Sequence, residues 1–290
     1  MIHEKDIERE QVDVVCGMHC KRFPHVKPIR VDYEGREFIF CGDGCHERFK
    51  ENPKRYMGEP LMHIVGVNKI FRNGDAETHV LKGIDLHIWE GDFISIIGAS
   101  GSGKSTLLNI FGLLDRPTSG QLFIRGKDVS KFSDIERALF RSKMFGFVFQ
   151  QYNLIPWLTA YENATIPNIF GGKKPDRQAL LKYFEFMGIK NRSHHLPAQM
   201  SGGEQQRVAL IRAIANDPII ILGDEPTGNL DSKTGEKLLD MLIDLKKRFN
   251  KTLIIVTHDR DIAEMADEII TLKDGEVVPD SMVHKKTYTE

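Results

Sequence analysis

The sequence predicts an α/β protein in which a parallel or mixed sheet is covered by helices, preceded by a small α+β thiol-rich module. Four short apolar runs indicate buried strands, and helical sequence lies near each of them. These runs are "DFISIIG", "MFGFVFQ", "PIIILGDEP" and "TLIIVTHD". The module is indicated by the cysteines, since all four lie within the first 60 of 290 residues.

The first predicted domain boundary lies at "NPKRYMGEP", Asn52 to Pro60, where two prolines and a glycine follow the thiol region. We therefore expect a module at 1–58, a large domain at 61–280 and a polar tail at 281–290. A module of that size often needs a metal or a cross-link for stability.

Composition excludes several functional classes. The formal net charge is −1 and no segment is strongly basic, so a nucleic-acid partner is not expected. No apolar run approaches the roughly 18 residues that a membrane span needs. The charged start "MIHEKDIEREQ" lacks the apolar core of a secretory signal. A cytoplasmic protein is expected, unless a partner holds it at a membrane.

A phosphate-binding loop is predicted at "GASGSGKST", Gly98 to Thr106. Gly98, Gly101 and Gly103 would let backbone N–H groups turn towards an anion, and the following helix would point its positive end at it. Lys104 can reach the β- and γ-phosphates, and the hydroxyl of Ser105 can bind Mg²⁺. Ser100 and Thr106 complete the ATP-binding set predicted for this loop.

Two adjacent carboxylates, Asp224 and Glu225, follow the buried run "IIIL". Buried acids are costly, which favours a function for them, although an acidic strand end can also arise by chance. Asp224 is placed to hold Mg²⁺. Glu225 is placed to deprotonate a water that attacks the γ-phosphate.

The stretch "MSGGEQQR", Met200 to Arg207, makes the pattern specific. With the preceding motifs, residues 61–280 resemble the ATP-binding subunit of an ABC transporter. The resemblance implies that Ser201, Gly202 and Gly203 bind ATP held by the phosphate loop of a second subunit. The other implied site residues are Gln150 (γ-phosphate and Mg²⁺), His258 (switch histidine), Asp231 (dimer interface) and Phe71 (adenine stacking).

Two departures from the family pattern are mild. Met200 replaces the usual leucine, and Phe71 lacks the hydroxyl of the usual tyrosine. The stretch "DEPTGNLD" is most similar to sequences of the branch that serves lipoprotein release, macrolide-type export and the cell-division permease.

The family resemblance implies partners as well. It implies a homodimer in the ATP state and a separate transmembrane permease, so that the chain would sit on the cytoplasmic face of the membrane. A helical subdomain at about 151–215 would touch the permease, with Tyr152, Leu154, Ile155 and Trp157 as candidate anchors. Leu154 and Ile155 could equally be core residues.

Three functional classes stay open: a transporter ATPase, an ABC protein of repair or the ribosome, and a slow ATP-dependent regulator. Repair relatives carry a long coiled-coil insertion and ribosomal ones carry two ATPase units, and neither is present. Intact Glu225 and His258 speak against a slow regulator. The alternative retained is a metal-responsive regulator that is not coupled to transport.

The cysteines form two C-x3-C pairs, Cys16 with Cys20 and Cys41 with Cys45. Stable disulfides are not expected in a cytosolic chain, whereas four thiolates suit Zn²⁺, Cu(I) or another thiophilic ion. Residues 14–56 resemble the YHS/TRASH-type metal-binding module through "VCGM", "YEGREFIFC", "C-x3-C" and "F-x3-NPKRY". The Tyr-His-Ser tripeptide is missing, and Cys20 stands where many members have no thiol. A structural staple, a sensory or delivery site, and an unmetallated or redox-active dithiol all remain open.

Overall fold

The computed structural model describes residues 12–20, 27–74, 76–278 and 283–284, which fall into two units. The first unit takes the described residues up to Glu90, Ile94–Phe132 and those from Ala263. The second unit takes Gly91–Phe93 and Ser133–Ile262.

The first unit begins with the thiol module. An antiparallel hairpin of β1 (Ile29–Tyr33) and β2 (Arg36–Phe40) is followed by α1 (Asp43–Glu51) and α2 (Pro53–Tyr56). The hairpin turns at Glu34 and Gly35, whose φ angles of 51° and 76° are those of a tight two-residue turn. The buried rings of Phe40, Phe49 and Tyr56 form its core. This confirms the predicted small α+β module.

The rest of the first unit contains two sheets. Four antiparallel strands lie in the order β4-β3-β6-β7: β3 (Met62–Asn73), β4 (Ala76–Ile88), β6 (Ser119–Ile124) and β7 (Lys127–Asp128). Separately, β5 (Phe93–Ile97) runs parallel to β11 (Glu268–Lys273). Two short strands, β12 (Glu276–Val277) and β13 (Val283–His284), pair antiparallel with β11. The helix α3 (Lys104–Phe111) follows β5.

The second unit is a parallel sheet with helices. Its strands β8 (Phe145–Phe149), β9 (Ile220–Asp224) and β10 (Thr252–Val256) are parallel, with β9 in the centre. Its helices are α4 (Asp134–Met144), α5 (Ala160–Phe170), α6 (Arg177–Phe186), α7 (Gly202–Ile214), α8 (Ser232–Phe249) and α9 (Arg260–Glu264). Capping boxes at Ser133, Thr159 and Ser201 fix where α4, α5 and α7 begin.

The α/β class is therefore confirmed, and each of the four apolar runs forms a strand. The helix that begins at Gly202, within "MSGG", ends at Ile214. The domain boundaries, including those of the helical subdomain, stay predictions. Most of the predicted tail lies outside the described residues. Among those residues, no helix combines the length and the apolar character that crossing a membrane requires.

Candidate functional site

The phosphate loop joins β5 to α3 and depends on glycine. Gly98, Gly101 and Gly103 have φ angles of 156°, 79° and 103°, which other residues rarely adopt. A Cβ on Gly103 would lie 3.0 Å from the carbonyl oxygen of Val80, and one on Gly98 would overlap that of Leu272. The loop thus packs directly against β4 and β11.

Lys104 begins α3 and lies largely buried inside the loop. Its Nζ donates hydrogen bonds of 3.0 Å to the carbonyl oxygens of Gly98 and Ala99. Ser100 and Ser105 are exposed on either side, and Thr106 is half-buried. The lysine charge and the N-terminus of α3 are therefore concentrated at one loop, an arrangement that suits a polyphosphate.

Phe71 lies near the end of β3, opposite Thr78 of β4. Its ring is 45% exposed, and the ammonium of Lys69 lies 4.7 Å from the ring centroid. Lys69 is held there by a 2.7 Å ion pair with Asp115. An exposed aromatic face at this position can accept a flat ring by stacking.

Two predicted catalytic residues, Glu225 and His258, lie in contact beside the acidic end of β9. Asp224 is the last residue of β9, and Glu225 follows with a φ of 46°. The Glu225 N–H donates to the carbonyl of Val256 at 2.9 Å, so β10 fixes this turn. One carboxylate oxygen of Glu225 lies 3.1 Å from Nδ1 of His258. A left-handed non-glycine residue costs free energy, and such strain is common at functional sites.

Gln150 follows β8 and lies against Gly228, where a Cβ would come within 2.8 Å of its side-chain nitrogen. A residue that the sequence did not reveal, Gln206 of α7, is fully buried nearby. Its amide donates to the carbonyls of Pro226 (2.5 Å) and Phe149 (3.4 Å). Gln206 thus ties α7 to the segments that carry Gln150 and Glu225. The only sequence signal for it is a polar residue at the start of an apolar helix.

The predicted signature begins α7. Ser201 accepts a hydrogen bond from the N–H of Glu204, and the Glu204 carboxylate accepts one from the N–H of Ser201. These bonds lower the pKa of Glu204, with the bond from the Ser201 backbone contributing most. A Cβ on Gly203 would lie 2.8 Å from a methyl carbon of Thr234, whose own N–H is capped by Asp231 at 3.1 Å. The signature and Asp231 are therefore packed together through Thr234.

An apolar groove of about 500 Å³ lies in the second unit. Its apolar lining includes Leu139, Phe145, Phe147, Phe149, Ile155 and Phe170. Phe170 and Trp157 are each 77% exposed. Of the candidate anchors, Ile155 lines the groove and Tyr152 is half-buried beside Gly202.

The thiol module brings three of its four cysteines together. The sulfur of Cys41 lies 3.7 Å from that of Cys16 and 3.6 Å from that of Cys45. All three residues are buried. Four sulfurs in a tetrahedral zinc site, with Zn–S bonds of about 2.3 Å, lie about 3.8 Å apart. The thiol spacing therefore fits a metal ion.

Asp13, which the sequence analysis missed, is the fourth member of this cluster in the structure. Its carboxylate lies with the three thiols in a group whose ligand atoms are all within 4.8 Å of one another. It also accepts hydrogen bonds from the N–H groups of Val15 (2.8 Å), Cys16 (3.3 Å) and Cys41 (2.6 Å). Asp often bonds the backbone two residues on, which is the signal that "DVVC" offered. Cys20 is buried but lies outside this group.

Burial changes the proton affinity of two members of this cluster, Asp13 and Cys16. It raises the pKa of Asp13 to about 7, with help from Cys41. Burial, followed by contacts with Cys41 and Cys45, raises the pKa of Cys16. Cys16 is therefore a neutral thiol near pH 7, and a metal that binds it must displace its proton.

The module is attached to β4 and the residue that follows it. The indole N–H of Trp89 donates to the carbonyl of Val15 at 2.7 Å, and the backbone N–H of His87 donates to that of Cys16 at 2.6 Å. A Cβ on Gly17 would lie 2.6 Å from the backbone nitrogen of His87. The loop that carries Cys16 is thus fixed on this edge.

A buried ion pair provides a second attachment. Arg48 of α1 bonds the carboxylate of Glu268, and both side chains are almost fully buried. Glu268 begins β11 and lies opposite Ile94 of β5. Breaking one member of a buried pair costs several kcal/mol, on the order of 3–5, so this contact anchors the module firmly.

Models of known protein families match both the large domain and the thiol module of this chain. The ABC transporter model matches residues 81–228, and the YHS domain model matches residues 12–59.

Similar proteins include a macrolide export ATP-binding/permease protein, MacB, of Chlorobaculum tepidum, which is 49% identical over 76% of this chain and 34% of its own length. The chain thus spans about a third of that relative. An uncharacterised ABC transporter ATP-binding protein of Methanocaldococcus jannaschii is 49% identical over 75% of this chain and 98% of its own length.

Solved structures show the same fold. A dimeric bacterial ABC transporter cassette, MJ0796, is 45% identical, with a TM-score of 0.70 over 75% of this chain and 96% of its own. The same cassette has been solved as a dimer after hydrolysis, bound to ADP and Pi. The motifs, the fold and these relatives together show that this chain belongs to the ABC transporter family, as an ABC-type ATPase with an N-terminal YHS domain.

Proposed function

We propose that the chain is the ATP-hydrolysing subunit of a membrane transporter. Two copies dimerise around ATP, and hydrolysis drives a separate permease in export or force transmission. The observation that carries this proposal is the 3.1 Å contact between Glu225 and His258 at the end of the acidic strand. The relatives named for macrolide export support the direction of transport.

The residues of the phosphate loop would bind the nucleotide. The backbone of Gly98–Gly103 and the ammonium of Lys104 would hold the phosphates, and Phe71 would stack on the adenine. Ser105, Gln150 and Asp224 offer hydroxyl, amide and carboxylate oxygens, the donor types that Mg²⁺ prefers. When bound, Mg²⁺ would neutralise charge on the β- and γ-phosphate oxygens.

Glu225 would take the proton from the attacking water, and His258 would hold its carboxylate in place. When Nδ1 of His258 is protonated, it can donate to the near oxygen of Glu225 and leave the other oxygen for the water. The turn at Glu225 is fixed by its bond to Val256, so β10 holds the backbone that carries this carboxylate.

A dimer would complete each site. Ser201, Gly202, Gly203 and Asp231 would contact ATP held by the other subunit. The dimeric structure of the cassette MJ0796, and its dimeric post-hydrolysis state bound to ADP and Pi, support this arrangement.

Turnover and dimerisation test this part of the proposal. Glu225→Gln should lower turnover about 10²- to 10⁴-fold, the usual contribution of a general base, while retaining ATP binding. It should also accumulate an ATP-bound dimer in light scattering. Glu236→Gln, at an exposed position of α8, serves as the matched control. Undiminished turnover, or a monomer with ATP and Mg²⁺, would contradict the proposal.

The apolar groove of the second unit is the proposed permease contact. Phe170→Asp, in the groove, and Trp157→Asp, at an exposed aromatic that does not line it, should reduce membrane association on co-expression with a co-encoded permease and spare basal ATPase activity. Leu114→Asp, at an exposed leucine of the first unit, should not. If the chain associates with no co-encoded permease, a metal-responsive regulator that is not coupled to transport becomes the better explanation. Association would place the chain on the cytoplasmic face of the membrane.

We further propose that the thiol cluster holds one Zn²⁺ or Cu(I). Cys16, Cys41 and Cys45 have the spacing of metal ligands. Cys20 and Asp13 are the two candidates for the fourth metal ligand, so the metal content of Cys20→Ser should be compared with that of Asp13→Asn. Elemental analysis after reducing purification should find about one equivalent, and no uptake on titration would exclude the site.

A regulatory role, with or without a transporter, is favoured by the attachment of the Cys16 loop to β4. Because β4 also packs against Gly103, a change at the thiols has a structural route to the phosphate loop. Adding metal should therefore change the ATPase rate of the full chain and not that of Cys41→Ser. Bound metal without any effect on the rate would leave only a structural staple.

A further inference from the structure

We propose that His63 and His87 form a second metal site, separate from the thiols, that takes a divalent first-row ion of the Zn²⁺ class. The two residues lie directly opposite each other on the antiparallel strands β3 and β4. Their ring centroids are 4.5 Å apart, and the ring planes make an angle of 81°.

His87 is already arranged as a metal-binding histidine. Its side chain is largely buried, and Nδ1 lies 3.1 Å from the carbonyl oxygen of Val14. A carbonyl only accepts hydrogen bonds, so Nδ1 must carry the proton. Metal-binding histidines commonly donate one ring N–H to a backbone carbonyl in this way and bind the metal through the other nitrogen.

The other nitrogen of His87 is buried and has no hydrogen-bond partner in the part of the chain that the structure describes. In the neutral ring this Nε2 carries a lone pair. A buried acceptor without a partner costs free energy, on the order of 1–3 kcal/mol, unless something binds it. The residue is therefore kept in a state that a Lewis acid would stabilise.

The spacing of the two rings fits a shared ion. With metal–nitrogen bonds of about 2.0–2.1 Å and bond angles of about 90–110°, two imidazole centroids lie roughly 4.5–5.2 Å apart. The observed separation is at the short end of this range.

A cavity of about 700 Å³ adjoins both rings. Val14, Glu59 and Phe123 are among its other lining residues. Water can supply further oxygen ligands there, and two imidazoles with water are a donor set that zinc accepts. The thiols suit softer ions, so the two sites differ in selectivity.

Packing alone is the competing explanation, because His63 also stacks on Phe123 at 5.7 Å. His63→Phe separates the two explanations, since it keeps an aromatic ring and removes both nitrogens. His79→Phe makes the same change at an exposed histidine of β4 and is the matched control.

Cobalt titration of the full-length, tag-free, reduced protein provides the test. The wild type should bind two Co²⁺, one with thiolate charge-transfer bands and one without. His63→Phe should retain the thiolate bands and bind the second ion at least about 100-fold more weakly, since even outer-shell partners change affinity about 10- to 100-fold. Cys16→Ser/Cys41→Ser should lose the thiolate bands and keep the second ion.

These variants distinguish failure of this site from failure of the thiol site. A second ion that survives His63→Phe, or is lost equally in His79→Phe, would overturn the proposal. Imidazole nitrogen NMR of the wild type does not depend on any variant folding. It should show His87 protonated at Nδ1 without metal and a shift of Nε2 on adding Zn²⁺. An unshifted Nε2 would equally overturn the site.

Discussion

The phosphate loop and the thiol cluster differ in how far apart along the chain their groups lie. The phosphate loop takes its groups from nine consecutive residues, Gly98 to Thr106. The thiol cluster joins Asp13 and Cys16 to Cys41 and Cys45, through a hydrogen bond that spans 28 residues. A contiguous site is defined by local conformation, whereas a divided site exists only if the fold around it is stable.

This difference predicts two kinds of response to substitution. Changes to the phosphate-binding side chain of Lys104 should alter ligand affinity with little effect on folding. Changes in the thiol cluster should alter the stability of the module first, and metal binding as a consequence.

The largest effect is expected from Asp13→Ala. It leaves three buried N–H groups without an acceptor, at about 1–3 kcal/mol each, so we expect a loss of at least about 3 kcal/mol in the free energy of unfolding of the module. Chemical denaturation measures it. Asp32→Ala, which removes an exposed acceptor in the β1–β2 turn, should cost under about 1 kcal/mol. Equal losses would remove the distinction between the two regions.

Next in size is Lys104→Ala. Hydrogen bonds to a charged group contribute about 1.5–3 kcal/mol, so losing the ammonium of Lys104 should weaken ATP binding about 10- to 100-fold. Nucleotide titration measures the affinity, and Lys131→Ala, at an exposed lysine, is the control. The metal content should stay unchanged. A parallel loss of metal would show that the phosphate loop and the thiol cluster are not independent.

A smaller effect is expected at Phe71. Phe71→Ala should weaken ATP binding about fivefold to tenfold, the lower end of base-stacking contributions, because Lys69 already lies over the ring. Phe71→Tyr should restore the affinity, since it keeps the ring. If both variants bind as the wild type does, Phe71 does not stack on adenine.

The contrast between local and long-range contacts also explains how much the sequence could reveal. The fold class and the strands next to Gly98, Gln150, Asp224 and His258 were predictable, because apolar runs and adjacent motifs are local patterns. The positions of Asp13 and Gln206 were not, because both act through hydrogen bonds to backbone distant in sequence. Cys20 lies outside the group formed by Asp13, Cys16, Cys41 and Cys45, so its place in the predicted four-thiol set stays a prediction.

An effect of similar size is expected at Trp89, where the thiol module meets β4. Trp89→Phe keeps a ring against Tyr56 but leaves the buried carbonyl of Val15 without its donor, so it should cost about 1–2 kcal/mol. Trp157→Phe, at an exposed position, should cost almost nothing and is the control.

Trp157→Phe also makes Trp89 the sole tryptophan, because the chain has two. In that background, removing metal should shift the Trp89 emission to longer wavelength if the Cys16 loop leaves β4. An unchanged spectrum, with metal removal confirmed by elemental analysis, would show that the loop stays attached without metal. In that case the thiols could not signal to the phosphate loop by detachment.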